Sequence, residues 1–203
     1  MGRVRQHNTL ARVLAGGLLA AAGLAPPVAR AQAVGTFAHH DGVYGRFDGD
    51  LDLGFALGAE FGSAGNVAPA LRASAHYFSI AGAYMAGRVQ AGEHSAPSLF
   101  GAGVDLRPLF LPRWAKGFET GPGFFDLTLD SVSLSLGAFW AARAERGFDA
   151  QLGFGLPLSA SAAGPWLEAR GALRYPDARE REEAVTVALA WHGFATTPFS
   201  PER

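Results

Sequence analysis

The chain has 203 residues, a formal net charge of −1, only 17% charged residues and no cysteine. The lack of cysteine excludes disulfides and thiolate metal sites, and the charge lacks the basic excess of nucleic-acid-binding proteins. Lys116 is the only lysine, whereas soluble β-proteins commonly place lysine on exposed edges, so the composition indicates an exterior that is largely not in water.

The first 33 residues have the layout of a cleavable secretory signal peptide. Three arginines precede a short apolar core over 13–25, and residues 31–33 read Ala-Gln-Ala, a small-x-small cleavage pattern. The core is shorter than the roughly 18 apolar residues of a membrane anchor. Removing residues 1–33, which hold four arginines and no acid, leaves a single domain over 34–203 with a net charge of −5. We therefore expect Sec-type export.

Alternation of apolar and polar residues predicts eight β-strands in the rest of the chain, and no helix. The stretch FDGDLDLGFALGAEF (47–61) has large apolar residues at odd positions and carboxylates at even ones, and strand side chains alternate between two faces. In the fifth segment the phase changes near 130–131, which predicts a bulge or a strand that starts later. The predicted strands are 46–62, 68–78, 81–91, 98–107, a fifth ending at Trp140, 149–158, 165–175 and 184–194.

The strand count and the polar faces favour a membrane barrel. An even number of short antiparallel strands is typical of bacterial outer-membrane proteins. The polar faces combine small residues with few charges of both signs, which suits a narrow lumen. Aromatic residues near strand ends predict interfacial girdles, because Phe47 and Phe61 would lie roughly 30 Å apart along the normal of a band about 25 Å tall. The residues assigned to the girdles are Phe47, Phe61, Trp140, Trp166, Tyr175, Trp191 and Phe194.

We therefore predict an all-β fold: an eight-stranded antiparallel up-and-down transmembrane β-barrel in the cell outer membrane, with its apolar face in lipid. Such a barrel encloses space just wide enough for side chains, where unpaired charge is costly. The sequence thus predicts an internal charge network that plugs the barrel. Its predicted members are Asp48, Asp50, Asp52, Glu60, Arg72, Asp105, Arg107, Glu168, Arg170 and Arg174.

The connection over 108–123 is long and rich in aromatic and aliphatic residues, with two cations, Arg113 and Lys116. With the N-terminus in the periplasm it falls on the periplasmic side, where turns are usually short. Two interpretations stay open. The segment either lies in the membrane interface or forms a proline-broken loop packed on the barrel base.

Three stretches carry a resemblance to a known group. HHDGVYGRF (39–47), GVDLRPLFLPRW (103–114) and FDLTLDSVSLSLGAFW (125–140) resemble uncharacterised exported β-barrel-like proteins of myxobacteria. The resemblance covers most of the predicted mature chain and implies a small outer-membrane barrel. It implies no activity and transfers no catalytic residue.

Weak candidates for chemistry are Ser74, His76 and Glu60, which would make the barrel a lipid-modifying hydrolase or acyltransferase. Ser74 and His76 share one strand face, but residues two apart lie about 7 Å apart, too far for direct contact. A non-enzymatic structural or surface-interaction role is therefore favoured. A soluble periplasmic lipocalin-like binding barrel is a less favoured alternative, and it requires the apolar face to point inward.

The sequence predicts no metal and no cofactor. His39, His40 and Asp41 are adjacent, and adjacent side chains on an extended chain point apart, which makes a poor chelate. The expected partners are outer-membrane lipid and the barrel-assembly machinery, with no nucleic acid, and the expected state is a monomer.

Overall fold

The computed structural model describes residues 44–92, 95–119, 121–142, 145–178 and 180–197. The predicted signal peptide and its boundary at 33/34, and the His39–Asp41 segment, lie outside the described residues. No helix within the described ranges is long and apolar enough to span a membrane.

The described residues form a closed eight-stranded barrel. Each strand pairs antiparallel with the next, and β8 closes on β1 in a register that runs from Leu51↔Ala195 to Gly62↔Ala184. This confirms the predicted up-and-down antiparallel barrel. The strands are β1 Leu51–Gly62, β2 Val67–Tyr77, β3 Ala81–Arg88, β4 Leu99–Leu106, β5 Ser133–Ala141, β6 Arg146–Pro157, β7 Gly164–Pro176 and β8 Glu182–Ala195.

The two ends of the barrel differ. Connections β1–β2, β3–β4, β5–β6 and β7–β8 lie at one end, here called the turn end, because consecutive strands run in opposite directions. The other three connections lie at the cap end, together with the residues that precede β1. The β2–β3 connection is tight: Phe78 and Ser79 both have positive φ, and Ile80 N–H donates to Tyr77 O at 3.1 Å, as in a type I′ turn.

The long β4–β5 connection contains two helices that the sequence did not predict, α1 Phe110–Ala115 and α2 Gly123–Asp130. The prediction of a strand through DLTLD was wrong, whereas the expected later start of the fifth strand holds, because β5 begins at Ser133. Short apolar stretches fit strand and helix periods equally well. Packing against β6 decides for the helix, with Leu127 on the buried side and Leu129 exposed.

Two other strand boundaries differ from the predicted ones. The first strand begins at Leu51 rather than residue 46, since Asp48 N–H donates to Gly45 O at 3.1 Å and closes a turn. The third strand ends at Arg88 rather than residue 91.

The barrel turns its large apolar side chains outward and its polar ones inward. Leu57, in the middle of β1, is 57% exposed, whereas His76 and Asp105 are fully buried. Small residues let the strands surround a narrow lumen. At Gly58, for example, a Cβ would lie 2.0 Å from Val187 O. The predicted orientation of the faces is confirmed, and the lipocalin-like alternative, which needs the apolar face inside, is contradicted.

Three of the residues assigned to aromatic girdles lie elsewhere. Trp166 is buried in the lumen, where its indole N–H donates to Ala162 O at 3.0 Å, and Phe194 packs against the same interior cluster. Even positions of β7 and β8 face inward, which explains why Trp166 and Phe194 point into the barrel. Phe47 precedes β1 and packs at the cap end. The remaining four are exposed on the outer face: Phe61, Trp140, Tyr175 and Trp191.

Candidate functional site

The lumen is the candidate functional site, because it collects most of the buried charge. Its ionisable side chains come from all eight strands except β5, and they contact one another in three layers between the turn end and the cap end. We call this set the lumen charge network: Asp52, Glu60, Arg72, His76, Arg88, Asp105, Arg107, Asp149, Glu168, Arg170, Arg174, Glu182 and His192.

In the layer nearest the turn end, Glu60 lies between two guanidinium groups. Its Oε1 accepts from Arg88 Nη1 at 2.5 Å, and its Oε2 accepts from Arg174 Nη2 at 2.6 Å. Glu182 accepts from the same two arginines, at 2.5 Å and 3.1 Å. Two carboxylates and two guanidiniums therefore tie β1, β3, β7 and β8 together across the barrel.

The middle layer is built around Asp105. Its carboxylate accepts from the Ser135 hydroxyl, lies 2.7 Å from His76 Nε2 and lies 3.4 Å from Arg72 Nη2. Arg72 also donates to Gln151 Oε1 at 3.0 Å, and its guanidinium lies 4.0 Å from the centre of the Tyr84 ring. The buried aspartate is thus surrounded by polar side chains from two other strands, β2 and β5.

In the layer nearest the cap end, His192 lies between two carboxylates. Its Nδ1 is 3.0 Å from Asp52 Oδ1, and its Nε2 is 3.1 Å from Glu168 Oε1. Both contacts are hydrogen bonds only when both ring nitrogens carry a proton, so this geometry fits the imidazolium form. Arg107 also pairs with Asp52, and the Trp166 ring centre lies 5.4 Å from that of His192.

Two predicted members of the network lie outside it. Asp48 is exposed in the turn before β1. Asp50 also precedes β1, and it accepts from the Thr197 backbone N–H at 2.6 Å and from the Thr197 hydroxyl. That hydroxyl bond holds the pKa of Asp50 below its usual range. Because β1 begins only at Leu51, these carboxylates lie at the cap end and not in the barrel interior.

Sequence reasoning missed several residues that contact the predicted members. The period-two pattern could have found two of them, since Arg88 shares its strand face with Tyr84 and Asp149 shares its face with Gln151. Tyr84 donates to Asp149 Oδ1 at 2.7 Å. No local signal marks which charge pairs with which, because the partners lie on different strands.

The three weak catalytic candidates are not brought together. In the β1–β2 register, Ser74 lies opposite Gly54, whereas Glu60 lies opposite Ala68, six positions or about 20 Å along the strand. His76 Nε2 faces Asp105, and its Nδ1 has no hydrogen-bond partner within the described part of the chain. Ser74 and His76 therefore form no nucleophile–base pair with Glu60.

Ser74 has a different histidine near it. A Cβ built at Gly54 would lie 2.7 Å from Ser74 Oγ and 3.2 Å from His192 Cε1, so the two side chains flank this glycine. With both ring nitrogens of His192 engaged by carboxylates, no lone pair is available to accept the serine proton. This arrangement also lacks the geometry of an activated nucleophile.

Space inside the barrel is small. Two cavities lined by lumen residues have volumes of about 40 and 20 Å³, which is room for a few water molecules at most. Among the described residues, no group of three or more His, Cys, Asp or Glu side chains is placed to hold a metal ion.

A second polar cluster closes the cap end. Arg46 donates to Asp130 at 2.8 Å, while Arg113 donates to Asp126 at 2.6 Å and to Asp130 at 2.9 Å. The Tyr44 hydroxyl donates to Asp126 Oδ2 at 2.7 Å. We call these five residues the cap cluster. It holds α1 and α2 against the residues that precede β1.

Tyr44 is expected to ionise only at unusually high pH. Burial, and then the hydrogen bond to Asp126, raise the pKa of Tyr44 to about 12. Because its folded pKa lies above its unfolded pKa of about 10, Tyr44 contributes stability that is complete below pH 10 and is lost as the pH rises through 12. Absorbance titration of tyrosinate, as the difference between the wild type and Tyr44→Phe, measures this. If the difference titration has its midpoint near pH 10, the buried hydrogen bond from Tyr44 to Asp126 in the cap cluster is contradicted.

Comparisons with known proteins assign the chain to no family. No protein-family model and no curated protein matches the chain. One similar solved structure is the de novo designed TMB2.3, with a TM-score of 0.45 and 12% identity, covering 70% of this chain and 93% of that one. Another is Ail, the attachment invasion locus protein of Yersinia pestis, in complex with the heparin analogue sucrose octasulfate. It has a TM-score of 0.32 and 11% identity and covers 70% of this chain and 95% of that one. At these identities the chain is similar to both and is assigned to no family.

Proposed function

We propose that the chain is a small outer-membrane β-barrel, exported through the signal peptide over 1–33, with a polar lumen plugged by its own side chains. We propose for it a structural or surface-interaction role and no enzymatic one. The observation that carries this is the inverted burial, with Leu57 exposed and Asp105 buried in a sheet without free edges. A closed barrel pairs its backbone groups internally, as hydrocarbon requires.

The outer surface supports membrane insertion in a second way. Exposed aromatic side chains lie toward both ends of the strands, with aliphatic side chains between them, as in the girdles of outer-membrane barrels. Those toward the turn end are Phe61, Trp140, Phe148 and Tyr175, and those toward the cap end are Tyr77, Phe154 and Trp191.

The plug is proposed from charge balance and space. The lumen charge network combines six carboxylates with five guanidiniums and two imidazoles. Paired charges of this kind, with two lumen cavities of only about 40 and 20 Å³, favour a closed interior over a water-filled channel. No observation favours the lipid-modifying enzyme, since neither histidine near Ser74 is placed and free to act as its base.

The surface-interaction role is proposed for the turn end, which would face outward if the N-terminus lies in the periplasm. Its loops carry the exposed ion pairs Arg146–Asp177 and Arg181–Glu183. Outer-membrane lipid and the barrel-assembly machinery are the proposed partners, and a monomer is the proposed state. The resemblance to exported myxobacterial proteins belongs to the same proposal.

The experiment that tests the proposed function compares gel mobility before and after boiling, with protein refolded in detergent. Closed membrane barrels stay folded in SDS at room temperature, so we expect the unheated and boiled samples to run at different apparent masses. Protein diluted from urea without detergent is the control and should run as the boiled form. Equal mobilities, together with solubility in plain buffer, would overturn the proposal.

A further inference from the structure

The two helices at the cap end are amphipathic, and their outer side is largely exposed. Leu127 is buried in the barrel interior cluster and Phe110 is buried against Arg46 and Phe47, whereas Phe118 and Phe125 are 62% and 59% exposed. We call the outward set the cap face: Leu109, Leu111, Trp114, Phe118, Phe124, Phe125 and Leu129. Seven apolar side chains on one short segment form an exposed hydrophobic patch, which is unfavourable in water.

The orientation of the cap face is fixed by the polar contacts beneath it. The Arg46–Asp130 and Arg113–Asp126 pairs hold α2 from its inner side. At the end of α2, Ser131 Oγ accepts from Gly155 N–H at 2.7 Å and lies 2.9 Å from Gly155 O. Turning the apolar side inward would break these buried pairs.

A chain of aromatic contacts joins the cap face to the outer surface of the barrel. Tyr77, at the cap end of β2, is exposed on the outer face, and its ring centre lies 4.6 Å from that of Phe78. The ring centre of Phe78 lies 6.2 Å from that of Phe47, and the Phe47 ring centre lies 5.2 Å from that of Trp114. The apolar exterior is therefore continuous from β2 onto α1.

The charged side chains of the β4–β5 connection also differ between its inner and outer sides. The carboxylates of α2, Asp126 and Asp130, face the barrel, and Glu119 is half-buried. Lys116, the only lysine of the chain, is exposed, and its Nζ lies 5.9 Å from the Phe118 ring centre. Aromatic and aliphatic side chains beside an exposed cation match the lipid headgroup region, where rings lie at the interface and a cation meets phosphate.

We propose that the cap face lies in the headgroup region of the periplasm-facing leaflet and binds phospholipid there, with Lys116 at the phosphates. This rests on the proposed function, because it requires the barrel to be in a membrane. It also accounts for a long connection on the side where such barrels usually have short turns. The segment is then both packed on the barrel and interfacial.

The lack of cysteine makes a site-specific test direct. Single variants Phe125→Cys on the cap face, Leu57→Cys on the barrel exterior and Ala64→Cys in the β1–β2 turn are labelled with an environment-sensitive fluorophore. Each is reconstituted into vesicles of phosphatidylglycerol and phosphatidylcholine, the latter brominated either near the headgroup or near the chain end. Heat-dependent gel mobility verifies that every variant is folded.

The expected pattern differs at each site. The label at residue 125 should be quenched mainly by shallow bromines, the label at 57 mainly by deep bromines, and the label at 64 only by aqueous iodide. If residue 57 is quenched but 125 responds only to iodide, the inference fails and the proposed function stands. If 125 is shielded from both quenchers, the cap face binds protein instead and the inference fails. If residue 57 is not quenched either, the proposed function itself fails.

Discussion

Replacing Glu60 with alanine is expected to lower the free energy of unfolding by about 3–5 kcal/mol, the cost typical of removing one partner from a buried ion pair. Arg88 and Arg174 both donate to Glu60, and all three side chains are at most 6% exposed. Without the carboxylate, Glu182 is left to face both guanidiniums, with Asp149 3.7 Å from Arg174 Nε. The variant would retain the strand pairing of β1, because Glu60 contributes to the sheet only through its backbone.

Urea unfolding in phospholipid vesicles, followed by tryptophan fluorescence, measures this change. Glu183→Ala is the matched control, because Glu183 pairs with Arg181 at 2.6 Å while both side chains are more than half exposed, and such pairs contribute about 0–1 kcal/mol. Glu60→Gln, which keeps acceptor oxygen but loses charge, should fall between the two. A Glu60→Ala loss no larger than that of Glu183→Ala would mean that the turn-end layer is open to water.

Leu57→Arg is the second substitution for which we expect a large effect, a loss of about 2–4 kcal/mol for a cation at mid-membrane on the lipid face of a barrel. Leu57 lies at the middle of β1, between Leu71 and Leu189 on the neighbouring strands. On a soluble barrel the same change would place a charge in water at little cost, since surface substitutions usually lie within about 0.5 kcal/mol. The sign and size of the effect therefore report what surrounds the barrel.

Ala64→Arg, in the exposed β1–β2 turn, is the control for adding an arginine to the same chain. Both variants are compared by urea unfolding in vesicles and by the fraction that folds on dilution from urea. Equal stabilities for Leu57→Arg and Ala64→Arg would contradict a lipid environment for the outer face.

The strand number, the order of pairing and the choice of inner face could all be predicted from the sequence, because each depends on a period of two and on short turns. Asp52, Glu60 and Arg72 were placed correctly in the interior by their parity alone. Trp140 was placed correctly outside by the same reasoning, and of the two outcomes that the phase change before it predicted, a bulge or a later start, the later start of β5 is found.

What could not be predicted depends on contacts between distant segments. The helix α2 packs against β6, and its Asp126 and Asp130 pair with arginines at the cap end; nothing local in DLTLD indicates either contact. Trp166 was misassigned because aromatic residues near strand ends were assumed to face lipid. Its even position, shared with Glu168, already pointed inward, and His192 on β8 supplies the contact that buries it.

The pairing of β1 with β8 has a consequence for assembly. Three polar contacts cross this junction or lie next to it: Asp52 with His192, 140 residues away, Asp50 with Thr197, 147 away, and Glu60 with Arg174, 114 away. The first strand to emerge from synthesis thus carries carboxylates whose set of partners is complete only when β7 and β8 have been made. Before then Asp52 can pair with Arg107 and Glu60 with Arg88, but His192 and Arg174 are still missing, so the full set of ion pairs exists only in the closed barrel.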